Sequence, residues 1–76
     1  MQNIKVYDNG GSTIDRYIIV FMDDSIGDNY CCLGVDAFGG RYFSNYYECK
    51  DGAHLGKLIN FYDLPHDTRN HVLSRM

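Results

Sequence analysis

Ile4 and Val6 alternate with Lys5 and Tyr7, the period-two pattern of a half-buried strand over residues 2–7. Asp8-Asn9-Gly10-Gly11 follows, with residues that accept positive φ and side chains that bond their own backbone, so a turn or loop is expected there. Residues 17–22 are apolar at every position and rich in β-branched and aromatic side chains, which predicts a central strand covered on both faces. The polar run 23–29 breaks this strand and predicts a solvated hairpin tip. Residues 30–35 then begin a third strand with Cys31, Leu33 and Val35 on one face. After the Gly39-Gly40 pair, residues 41–48 predict an aromatic fourth strand in which Phe43 and Tyr47 face away from Tyr42 and Tyr46. Asp51-Gly52 marks another turn, and residues 57–61 form a short fifth run. Asp63 is placed to cap a helix and Pro65 to sit in its first turn. Leu64, Thr68, Val72 and Met76 recur at helical spacing, with Leu73 widening the stripe, so a C-terminal helix of about three turns should lie across the sheet. The pattern as a whole predicts an α+β fold: a small antiparallel sheet of four to five strands with one C-terminal helix packed on it, in a single domain spanning residues 1–76.

Size and charge narrow the functional classes. A chain of 76 residues buries about 60% of the surface its unfolded form exposes, so the core is small. The formal charge is −3 and the seven basic residues are scattered singly, which disfavours direct nucleic-acid binding. No long apolar run suits a membrane span and no signal-like segment opens the chain, so a soluble, cytoplasmic protein is expected. Three cysteines, two of them adjacent, do not suggest a disulfide framework, and reduced thiols are the expectation.

The run Tyr7-Asp8-Asn9-Gly10-Gly11, a short spacer and Asp15-Arg16-Tyr17 resembles the opening of a group of very small proteins encoded mostly by phages and prophages. Gly52-Ala53-His54-Leu55-Gly56-Lys57 and Asp63-Leu64-Pro65 continue the resemblance, which covers about half the chain. It implies a phage-linked accessory protein, and short proteins of that origin are often inhibitors of host defence, anti-CRISPR proteins among them. On that reading the partner is a bacterial defence protein and the compartment the host cytoplasm.

No nucleophile elbow, phosphate-cradling loop or zinc-protease helix occurs, so the chain is read as a binding protein and not an enzyme. A zinc site from Cys31 or Cys32 with Cys49 and His54 lacks the tight ligand knuckle such sites use, so neither metal nor cofactor is expected. His66 and His71 lie five apart and should sit on the surface. Two clusters rise above background. Phe38, Tyr42, Phe43, Tyr46 and Tyr47 cannot all enter one small core, because alternating positions point to opposite faces, so they are candidates for a protein-contact face or a homo-oligomer seam. Together with the acidic tip at residues 23–28, they form the expected contact surface. The alternative is a nucleotide site, in an oligomeric protein that sequesters a signalling molecule: Asp8, Asn9, Gly10, Gly11, Asp15, Arg16 and Tyr17 offer close-approaching amides, a planar cationic fork and a stacking ring. Against this stands the plainer expectation that Asp15 and Arg16 pair with each other or with the loop and fix the start of the central strand.

Overall fold

A computed structural model describes residues 3–76 of the chain. Five strands form one antiparallel sheet in the order β4-β3-β2-β1-β5. They are β1 (Ile4–Asp8), β2 (Tyr17–Ile26), β3 (Asn29–Val35), β4 (Ser44–Cys49) and β5 (Lys57–Ile59), followed by the single helix α1 (His66–Ser74). Gln2, where the sequence pattern starts the first strand, lies outside the described residues.

The apolar run of β2 takes the centre because both its faces must be covered. Tyr17, Ile19 and Phe21 point to one side, joined by Val6, Leu33 and Val35 from the neighbouring strands and covered by Leu64 and Val72. Ile18 and Val20 point to the other, with Tyr7 and Cys32, and are closed by Tyr30, Tyr47, Cys49 and Leu55 rather than by a second helix. Each fully buried aliphatic side chain contributes roughly 1.5–3 kcal/mol. The chain places Ile19, Val20, Leu33, Val35 and Val72 completely out of solvent. Among the described residues no helix is long and apolar enough to cross a membrane.

Several expectations need correction. The polar residues after Met22 do not leave the sheet: β2 runs on to Ile26 and pairs with β3 through Ser25↔Tyr30 and Ile26↔Asn29. A two-residue turn makes this possible, since Gly27 at φ 61° holds the first central position, where a type II′ turn needs positive φ. The ladder shifts register between Phe21 and Ser25, so Asp23 and Asp24 bulge outward into solvent. The fourth strand starts at Ser44 rather than residue 41, because the backbone of Tyr42 and Phe43 is drawn toward Asp36.

At the C-terminal end, Asn60 and Asp63 form a reciprocal capping box around the short 3-10 turn Phe61–Asp63, so Asp63 does not cap α1. Leu64 is extended, as the residue before a proline tends to be, and α1 begins only after Pro65. Thr68 and Val72 are buried as the stripe predicts, whereas Leu73 is exposed.

The cysteines give a further correction. Cys32 and Cys49 are joined in a disulfide, with Cα atoms 6.3 Å apart, and only Cys31 is free. Cys49 pairs in register with Tyr30, which puts it diagonally opposite Cys32 on the same face. Cys31 points the other way, as its parity requires, and burial pushes its thiol pKa up.

Candidate functional site

Asp36 directly follows β3 and is almost fully buried, at 2% exposure. Its carboxylate accepts backbone N–H bonds from Phe38 (3.0 Å), Gly40 (2.8 Å), Tyr42 (2.6 Å) and Phe43 (2.9 Å). Burial alone would push the carboxyl pKa up, but these four donors outweigh it and hold the group below the usual carboxylate range. The 37–43 loop is thereby wound around one buried charge. Its far side rests on α1: a Cβ at Gly39 would lie 2.9 Å from the Cβ of Asp67, and one at Gly40 would lie 2.8 Å from the His71 ring. Ser44 Oγ and His71 Nε2, 2.7 Å apart, pin the start of β4 to the same helix. His71 is therefore half-buried rather than a surface histidine. Neither Ser44 nor His71 lines the two grooves described below; the pair ties β4 to α1.

With the loop fixed, Phe38 and Tyr42 are held out in solvent, 66% and 67% exposed, and meet edge to face with ring centroids 5.5 Å apart. They form one wall of a groove of about 380 Å³. The other wall is the 9–16 loop, through Gly11, Thr13, Ile14 and Arg16. Ile14, 64% exposed, makes this lining largely apolar, a feature the sequence reading missed. Its signal was a lone isoleucine inside a polar loop. On the other side of Phe38 lies a second, more polar groove of about 340 Å³, lined by Ala37, Phe38, Arg41, Pro65, His66, Asp67 and Thr68. The Arg41 guanidinium lies over the Tyr42 ring, 5.7 Å from its centroid.

The two candidate clusters thus meet, but in part. Phe38 and Tyr42 face Gly11 and Arg16 across one groove. Tyr46 lies on the helix-side face against Phe21 and under the Arg75 guanidinium. Tyr47 packs on the opposite face, where burial pushes its phenol pKa up, and Phe43 is half-buried. The five rings do not make one surface.

The donors invoked for a nucleotide are engaged within the loop. Arg16 grips Asp8 through Nε (2.6 Å) and Nη2 (3.1 Å). This fork holds the Asp8 carboxyl below its usual range. Gly10 N–H donates to Asp8 and Gly11 N–H to Asn9, each at 2.8 Å. Asn9 and Thr13 bond within the loop to Asp15, and Tyr17 is buried in the helix-side core with the Arg16 guanidinium 5.5 Å from its ring. The Asp-Arg-Tyr triplet fixes the start of β2, through Asp8 rather than through an Asp15–Arg16 pair.

On the opposite face Asp51 joins Lys5 (2.7 Å) and Tyr7 (2.5 Å), which together depress its pKa. No group of three or more potential metal-ligating residues gathers among the described residues. Comparison of the chain with protein-family models, curated proteins and solved structures finds no match.

Proposed function

We propose that the chain acts by binding a protein partner in the groove between the 9–16 and 37–43 loops, as a phage-type accessory protein that blocks a component of bacterial defence. The observation that carries the binding part is the pair Phe38 and Tyr42, two large rings held two-thirds exposed by a loop wound on a buried carboxylate. Free rings on a mobile loop would lose rotational and backbone freedom on docking; rings already fixed lose little. Aromatic anchors beside an apolar cleft are also what the centre of a protein interface is made of. The defence target is suggested by the resemblance of the Tyr7–Tyr17 region to phage-encoded proteins. No chemical step is part of this reading.

The test is capture of host proteins on the tagged chain, with bound material analysed for both proteins and small molecules. A stoichiometric protein held by the wild type and lost with Phe38→Ala plus Tyr42→Ala is expected, together with loss of protection in a phage infection assay. Equal capture by the double variant, or a nucleotide in place of a protein, overturns the reading.

A further inference from the structure

The far end of the β2–β3 hairpin carries the complement of the groove. Ile26 stands 50% exposed at the turn, with exposed Asp23, Asp24 and Asp28 around it. Asp24 and Asp28 make no ion pair among the described residues, and neither does Arg41 beside the groove. The tip is stiff as well as charged: the ladder continues to Ile26↔Asn29, and Asn29 donates to Glu48 of β4 at 2.5 Å. From Tyr17, beside the groove loops, to Ile26 the strand rises roughly 30 Å. The molecule measures 31 Å along its longest axis, so tip and groove lie toward opposite ends.

We propose that the hairpin tip of one copy docks in the groove of another, Ile26 lying against Phe38, Tyr42 and Ile14 while Asp24 or Asp28 meets Arg41. The inference rests on the reading of this groove as the binding site and names a second copy of the chain as an occupant. Arg16 is already held by Asp8, so Arg41 is the cation left for an incoming carboxylate. Arg41 lines the neighbouring groove together with Asp67 and reaches this one over the Tyr42 ring, 5.7 Å from its centroid. Because the two surfaces differ, the contact is head-to-tail, and it adds further copies unless the rotation closes a ring. Self-docking then competes with a protein partner for the same rings.

Sedimentation from micromolar to millimolar protein, at low and high salt, tests this. The expected result is a mass that grows with concentration and grows less at high salt, since exposed charges are screened. Ile26→Ser, which spoils the tip, and Arg41→Glu, which spoils the groove, should each weaken association about tenfold or more. Both positions are solvent-exposed, and unchanged thermal unfolding verifies that the variants fold. Mixed together, the two variants should give dimers and nothing larger, because each retains one intact half. A wild type that stays monomeric throughout, or association that both variants leave intact, overturns the self-docking. Either result leaves the partner reading to its own test, the capture lost with Phe38→Ala plus Tyr42→Ala.

Discussion

A single carboxylate, that of Asp36, decides whether the groove exists. Four N–H donors converge on it, and with Asp36 removed they would face a site from which water is excluded. Charge-assisted bonds and orphaned donors each carry one to a few kcal/mol, so Asp36→Asn should destabilise the fold by about 2–4 kcal/mol. The amide keeps the shape but turns one acceptor into a donor aimed at other donors. Denaturant unfolding of the variant checks this, and a loss under about 0.5 kcal/mol, the range of ordinary surface substitutions, would count against the role given to Asp36. The sequence shows Asp36 as no more than the first residue of a glycine-containing turn. Its partners lie two to seven residues on, with no periodicity to mark them, so the contact is legible only once the loop has folded.

At the level of elements, β4 is held weakly by core burial, since it forms a sheet edge and its residues are half-buried or exposed. The Cys32–Cys49 disulfide fastens it to β3 across a separation of 17 residues. Closing a loop of that size is worth about 3 kcal/mol in the chain-entropy model. Reduction, or Cys49→Ser, should therefore lower the melting temperature by about 12–24 °C, given about 4–8 °C per kcal/mol for a domain of this size. Thermal unfolding with and without reductant measures it, and an unchanged midpoint would mean that β4 is held by its ladder alone. The same strand marks the limit of what the pattern of residues reveals. β2 is legible because six apolar residues in a row have no other place, and the helix stripe of Thr68 and Val72 is legible because burial selects it. The pairing of Cys32 with Cys49 depends on the register of β3 against β4, and the meeting of the two candidate clusters depends on strand order. Neither leaves a local mark in the chain.

At the scale of the whole fold, three carboxylates among the described residues have folded-state pKa values below their ordinary range, from three different causes. Arg16 depresses Asp8, Lys5 and Tyr7 depress Asp51, and backbone donors overcome burial at Asp36. A carboxyl with a depressed folded pKa adds stability that is fully present above its unfolded value, about 3.9, and is lost as pH falls through the folded one. Lys5 is raised by its bond to Asp51, and Tyr7 by burial and the same carboxylate, so their contributions are present below about pH 10 and vanish as pH rises further. Stability should then form a plateau across neutral pH with a fall on each side. Salt separates the contributors on the acid side. The Lys5–Asp51 and Arg16–Asp8 pairs are partly open to solvent and are screened, whereas the donors around Asp36 are backbone dipoles in a site closed to ions. In high salt the wild type should retain most of its acid-side loss, and Asp36→Asn should lose most of it. Unfolding free energies measured between pH 3 and pH 7 at two salt concentrations test the assignment. An acid limb that salt abolishes in the wild type would place the dependence on the exposed pairs and remove it from the loop that holds Phe38 and Tyr42.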